Sequence, residues 1–176
     1  MQLSIIIINY NTFQLTCNCI RSIKKRLHDL TYEIILVDND SSECDPNLFL
    51  KTFPDMRLII SAENTGFTGG NNIGIAKAKG EYILLLNSDT ELINNAPKIC
   101  YDYMQQHPKV GITAAQLTYP DGQMQYNCRR FRTISWELLE IFPLYLFLSK
   151  RKKEHISAPN PIAFHYVFMI KIMMQH

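Results

Sequence analysis

Four short apolar runs, each followed within a few residues by asparagine or aspartate, constrain this chain more than any other feature. Leu3 to Ile8, Glu33 to Val37, Met56 to Ile60 and Tyr82 to Leu86 are nearly continuous in Ile, Leu and Val. Strands buried on both faces read this way. The polar stretches that follow them are Asn9-Tyr10-Asn11, Asp38-Asn39-Asp40-Ser41, Glu63-Asn64-Thr65-Gly66 and Asn87-Ser88-Asp89. In a parallel sheet, ligands bind outside the carboxyl ends of the strands, so these turns hold the candidate site. Any one of them has the bland alternative of capping the next helix; four together favour a ligand.

Helix signals separate the runs. Asn11 or Thr12 is the predicted cap of a helix with the apolar stripe Leu15, Cys19, Ile23 and Leu27, and with Arg21, Lys24 and Lys25 facing out. A short helix is predicted around Pro46 to Phe53, and another over Asn71 to Lys79, stopped by Gly80. Strand–helix alternation of this kind requires crossovers between parallel strands, hence an α/β fold. A further helix is predicted over Asn94 to Gln106, with Asn95 as cap and Pro97 in its first turn. A strand over Val110 to Thr118, a turn at Pro120-Asp121-Gly122 and an extended Gln123 to Arg129 complete the organised part.

Composition excludes several function classes. The 176 residues carry 18 basic and 16 acidic side chains, net +2, too balanced for a polyelectrolyte binder of nucleic acid. Hydrophobic residues at 47% supply a core, and 19% charged with 11% aromatic residues argues against intrinsic disorder. Five scattered cysteines (Cys17, Cys19, Cys44, Cys100, Cys128), with no basic n-region ahead of the first strand, fit a reducing cytoplasmic compartment better than a disulfide scaffold. Cys17 and Cys19 have no second Cys/His pair at zinc spacing.

The run Gly66-Phe67-Thr68-Gly69-Gly70-Asn71-Asn72-Ile73-Gly74 is superficially like a phosphate cradle at a helix start. It lacks the Gly-Lys-Ser/Thr of a Walker loop. It also follows the third strand, whereas a dinucleotide fingerprint follows the first, where Asn9 to Thr12 has no glycine. That argues against a dehydrogenase. The same absence of a glycine- and lysine/arginine-rich first loop argues against a sugar nucleotidyltransferase. At Asn87-Ser88-Asp89, Asp89 has the chemistry to ligate Mg²⁺ or Mn²⁺ together with substrate phosphates, while Asn87 offers a neutral amide oxygen. The structural alternative is a turn cap.

SIIIINYN, EIILVDNDS, ENTGFTGGNNIGI and GEYILLLNSDTEL, in this order and spacing, resemble the nucleotide-sugar half of a family 2 glycosyltransferase over about Ser4 to Arg132. The Asn64 to Leu92 block is similar to the bacterial rhamnosyltransferase-like branch. The resemblance implies a GT-A fold, an α/β Rossmann-like sheet that binds a nucleoside-diphosphate sugar with Mg²⁺ or Mn²⁺ and transfers the sugar with inversion. It implies that Asp38 accepts a hydrogen bond from a pyrimidine imide and that Asn9, Tyr10 and Asn11 line the nucleoside. Asn39, Ser41, Asn64, Gly66, Gly70 and Asn71 fall in the segments that shape the base and sugar-phosphate region. Asn87, Ser88 and Asp89 match the family's DxD motif with its first Asp replaced by Asn, leaving Asp89 as the metal ligand. The implied donor is a thymidine or uridine diphosphate sugar, with dTDP-rhamnose the single best choice. The implied acceptor is a cell-surface polysaccharide or lipid-linked glycan.

The family's general base, a carboxylate of the second half usually within an acidic pair, has no counterpart here. After Tyr119 the chain has Asp121, Glu137, Glu140 and Glu154, none of them paired, and Asp121 reads as turn chemistry beside Gly122. Residues 1–132 are therefore expected to form the donor-binding domain and 133–176 an incomplete acceptor-side segment. The expectation is a chain truncated or diverged in its acceptor half, and a catalytically dead donor-binding remnant is the rival reading. Phe164, Tyr166, Phe168 and Met169 faintly resemble the apolar strand found just before the base. Ile134 to Leu148 is apolar but too short to span a hydrocarbon core of about 30 Å. With Arg129, Arg130 and Arg132 before it and Lys150 to Lys153 after it, residues 134–153 read as a peripheral contact with the inner face of the cytoplasmic membrane. Packing on the chain's own domain is the bland alternative.

Overall fold

The structure, a computed structural model, describes residues 1–125 and 167–171. Strand and helix alternate as β1 (Leu3–Asn9), α1 (Phe13–Arg26), β2 (Tyr32–Asp38), α2 (Leu48–Thr52), β3 (Arg57–Ile60), α3 (Gly66–Ile75) and β4 (Tyr82–Asn87). There follow α4 (Ala96–Gln106), β5 (Ile112–Ala114) and β6 (Val167–Lys171). The strands form one sheet in the order β3-β2-β1-β4-β6-β5. β1 pairs in parallel with β2 and β4, and β2 with β3, whereas β6 runs antiparallel to both β4 and β5.

Helix crossovers explain why β1 can be so uniformly apolar. Leu3, Ile5, Ile6 and Ile7 are fully buried, as are Ile35, Leu36 and Val37 beside them on β2. Register then aligns the strand ends. Asn9 lies opposite Asp38, Ile8 opposite Asn87, and Asp38 opposite Ile60. The polar turns therefore leave the sheet at one level, which is what a site built from several strands requires.

The chain divides into two compact units, Met1–Gln116 with His165–His176, and Leu117–Phe164. This differs from a division at 132/133, because residues 167–171 return to the first unit as β6. The physical reason is the far side of β4. A strand there with no partner leaves a row of backbone groups unpaired, and β6 supplies that row with Met169 buried. Within the second unit, Thr118 and Met124 bridge across a turn closed by Gly122 N–H to Tyr119 O (2.9 Å) and Tyr119 N–H to Gln123 O (2.8 Å). Asp121 accepts from Gln123 N–H (2.9 Å), the turn role expected of it. Residues 134–153, with Glu137 and Glu140, and also Glu154, lie outside the described residues.

Several local expectations need correction. Of the expected stripe, Cys19, Ile23 and Leu27 are buried but Leu15 is exposed, and Thr16, Cys17, Ile20 and Ser22 join the buried face of α1. Thr16 turns inward to a hydrogen bond described below, which carries Leu15 about 100° around the helix. Thr12 occupies the cap position of α1 but makes no side-chain cap bond; Glu43 Oε2 accepts from Phe13 N–H (3.0 Å) in its place. Asn95 likewise caps α4 by position only, its amide donating to His28 O (3.1 Å). The glycine run is not a loop ahead of a helix but the helix itself, α3, which ends at Ile75. A Cβ on Gly74 would stand 2.5 Å from Ile6 Cγ2, so glycine here lets α3 lie close against β1. Gly80 does not cap it; it presses on the start of β1, where a Cβ would meet Ser4 N at 2.4 Å. The predicted strand over 110–118 shrinks to the three residues of β5.

Candidate active site

Asn9, the last residue of β1, is buried and uses its whole amide. Its Nδ2 donates to Asp38 Oδ1 (2.7 Å) and Ser41 Oγ (2.9 Å). Its Oδ1 accepts from Thr16 Oγ1 (2.9 Å) and Thr12 Oγ1 (3.1 Å). Asp38, at the end of β2, is 1% exposed; its second oxygen accepts from Ser41 N–H (3.1 Å). A buried carboxylate requires such donors, because an unpaired one is too costly to keep charged. Asn39 is equally buried. Its Nδ2 donates to Asn64 Oδ1 (2.8 Å) and Gly66 O (3.3 Å), while its Oδ1 accepts from Thr65 N–H (3.1 Å) and Thr65 Oγ1 (3.0 Å). Through this one side chain the end of β2 holds the turn that starts α3.

The outer layer is more open. Asn11 has φ +53°, a conformation asparagine tolerates, and its N–H donates to Ser41 Oγ (3.1 Å). Its Oδ1 accepts from Ser42 N–H (2.9 Å) and Glu43 N–H (3.1 Å), fastening the β2 turn to the start of α1. Tyr10 is exposed beside it. Asn64 Oδ1 also accepts from Gly66 N–H (2.9 Å). Gly70 faces Ile8, whose Cγ2 would lie 3.1 Å from an added Cβ, and Asn71 donates to Phe67 O (2.9 Å) within α3. These two sit on the sheet-facing side of the helix.

After β4, Asn87 O accepts from Thr90 N–H (3.1 Å) and from the Cys19 thiol (3.6 Å). Ser88 Oγ shares a hydrogen bond with Thr12 Oγ1 (3.2 Å). Asp89 is exposed. Burial pushes the Cys19 thiol well up, and the Asp89 and Glu91 carboxylates add to the shift, so this turn carries a negative field. A hard, exposed carboxylate in such a field fits an Mg²⁺- or Mn²⁺-type ion. Among the described residues, no three His, Cys, Asp or Glu side chains come together to hold a metal unaided. A cation here would need oxygens from elsewhere, such as phosphates.

The structure thus joins Asn9, Asn11, Asp38, Asn39, Ser41, Asn64 and Gly66 in one network, and Ser88 joins it through Thr12. Thr16 and Glu43 belong to it without having been named from the sequence, as do Thr12, expected there only as a helix cap, and Thr65, named only within its turn. For Thr16, the available signal was a hydroxyl on the inward face of an amphipathic helix. Among the described residues, no helix is long and apolar enough to cross a membrane.

The sequence pattern of glycosyl transferase family 2 matches residues 4–172. The glycosyltransferase GlyG of Streptococcus pneumoniae is 30% identical over 109 residues, covering 59% of this chain and 35% of that protein. The poly(ribitol-phosphate) beta-glucosyltransferase of Bacillus spizizenii is 31% identical over 128 residues, covering 70% and 20%. The chain spans about a third or less of the curated relatives it matches. Among solved structures, S. aureus TarS 1-349 superposes with TM-score 0.57 at 21% identity, covering 76% of this chain and 39% of that one. A mannosyltransferase from Pyrobaculum calidifontis, in complex with GDP-Man and Mn²⁺, gives TM-score 0.57 at 20% identity, covering 68% and 36%. These likenesses identify the sheet as GT-A-like.

Proposed function

Because the chain belongs to glycosyltransferase family 2, we propose that it binds a nucleoside-diphosphate sugar and serves its transfer, with inversion, to a polysaccharide or lipid-linked glycan. The observation that carries this is the buried network of Asn9, Asp38 and Asn39 at the carboxyl ends of β1 and β2. Such a network holds three turns in fixed positions around one place, the preorganisation a nucleotide site needs.

Residues 1–132 would carry the donor half, with residues 167–171 completing its sheet. Asp38 and Asn39 would form the floor. Asn9, Tyr10, Asn11 and Ser41 would line the nucleoside, and Asn64 and Gly66 the wall beyond it, with Gly70 and Asn71 seating α3 behind that wall against the sheet. Asn87, Ser88 and Asp89 would face the diphosphate, with Asp89 holding Mg²⁺ or Mn²⁺. When bound, the cation offsets the charge that collects on the leaving diphosphate. The resemblance of the Asn64 to Leu92 block supports dTDP-rhamnose as donor. The basic flanks of residues 134–153 support a peripheral membrane contact on the cytoplasmic side, which flotation with anionic vesicles would report.

Isothermal titration of the folded chain with dTDP and UDP, in Mn²⁺ and then in EDTA, tests the reading. Binding that requires the cation is expected, and its absence with both nucleotides would overturn it. A second reading is a donor-binding module without turnover, and the commitment of the Asp121 carboxylate to its own turn, where it accepts from Gln123 N–H, supports it. Release of free sugar or transfer product from dTDP-rhamnose by the purified chain would eliminate that module.

A further inference from the structure

The buried face of α1 carries a series of small polar side chains. Thr16 donates to Asn9 at the end of β1. Thr12, Cys19 and Ser22 all reach the segment that follows β4. Thr12 Oγ1 meets Ser88 Oγ at 3.2 Å, Cys19 Sγ donates to Asn87 O at 3.6 Å, and Ser22 Oγ accepts from Leu92 N–H at 2.9 Å. Asp89 lies between these anchors.

We propose that Ser22 is a positioning residue, setting where the Asn87–Leu92 turn stands and hence where Asp89 presents its carboxylate to a cation. This rests on the donor-binding reading above. Ser22 and Leu92 are both buried, so Leu92 N–H has no access to bulk water as an alternative partner. A serine hydroxyl has one proton and two lone pairs. Ser22 spends the proton on Cys19 O (2.7 Å), within its own helix, which turns the oxygen's acceptor side toward Leu92. Alanine cannot accept that bond. Serine is a mediocre helix former, and its place inside α1 is explained by this acceptor role. With Thr16 holding Asn9, one rigid helix references the cation-bearing turn to the nucleoside end of the site. Ser22 itself touches neither nucleotide nor ion.

The test compares Ser22→Val with Ser22→Thr, which share a shape and differ in the hydroxyl, alongside Ser22→Ala. Threonine in a helix bonds the same i−3 or i−4 carbonyl and restores the acceptor. The readouts are the Mn²⁺ concentration that half-saturates dTDP binding, and amide exchange at Leu92, Ser41 and Thr65. Loss of outer-shell support typically costs about 10–100-fold in metal affinity. Val and Ala should therefore raise the half-saturating Mn²⁺ concentration by about tenfold. They should also speed exchange at Leu92, leave Ser41 and Thr65 protected as before, and be rescued by Thr. Three results would each overturn the proposal: unchanged Mn²⁺ dependence in Val and Ala, a Thr variant as defective as Val, or equal loss of protection in all three amides. If the unaltered chain shows no Mn²⁺-dependent dTDP binding, the donor-binding reading fails, while the exchange pattern still decides whether Ser22 holds the turn.

Discussion

Asp38 and Asn39, at the end of β2, are 1% and 2% exposed, whereas Asp89, two residues beyond β4, stands in solvent. Both turns leave the same edge of one sheet. The first is closed on itself and on its neighbours: every oxygen and nitrogen of the Asn39 side chain is bonded, and both Asp38 oxygens accept. The second is gripped from outside, by α1, and displays its carboxylate. The contrast follows from electrostatics. A buried carboxylate is kept only where donors meet its oxygens, and that fixes it in place; an exposed one stays within reach of solvent and ions but needs an external frame to hold its position.

Substitutions can break this contrast, and their effects on stability should fall in a definite order. Asn39→Ala removes four hydrogen bonds and leaves Thr65 N–H without its acceptor. It should cost about 3 kcal/mol in a urea titration and abolish nucleotide binding. Asp38→Asn points an amide N–H₂ at a donor, either Asn9 Nδ2 or Ser41 N–H, and should cost about 1–2 kcal/mol. Asp89→Ala should change stability by less than about 0.5 kcal/mol, yet remove the Mn²⁺ dependence of dTDP binding in calorimetry. An Asp89→Ala protein that loses as much stability as Asn39→Ala would erase the distinction between the turns.

Lys24→Ala, on the outer face of α1, is the smallest change. Lys24 pairs with Asp55 and holds its carboxyl below the ordinary carboxylate value. The pair's contribution is then complete above that ordinary value and fades as pH falls through the depressed one. The variant should be slightly less stable than the parent at neutral pH and equal to it in acid, as thermal melts across pH would show. Screening keeps an exposed pair of this kind weak.

β1 to β4 are legible in the sequence to within a residue: β1, β2 and β4 are largely buried on both faces and admit little but Ile, Leu and Val, whereas β3, at the sheet's edge, is half-buried to exposed and reads by its short apolar run alone. The Asn and Asp residues that follow them are legible because the apolar run stops there, although Asn9 and Asp38 are themselves buried, held by hydrogen bonds. What was not legible is set by distant partners. Glycine-rich composition argues against helix at residues 66–70, but docking of α3 against Ile6 and Ile8 outweighs local propensity. Leu15 is the apolar residue a helical stripe would bury, but Thr16 has a partner in Asn9 and takes the inward direction. The apolar character of residues 167–171 hints at a strand, but its pairing with a strand more than eighty positions earlier is announced by no local pattern. Within the site, the sequence marks the residues that end strands and misses those on α1 that hold them.

The place of β6 also has a consequence for synthesis. Tyr82 pairs with Lys171, so β4 leaves the ribosome long before its second neighbour exists. At roughly 5–20 residues per second, a nascent chain carries β1 to β4 for several seconds with one side of β4 open. That side is a leucine-rich edge of the kind that pairs with other chains. Closing it requires one of the longest-range contacts in the molecule, and such contacts slow folding. The pairing of β6 is thus also the step that covers the leucine-rich edge of β4.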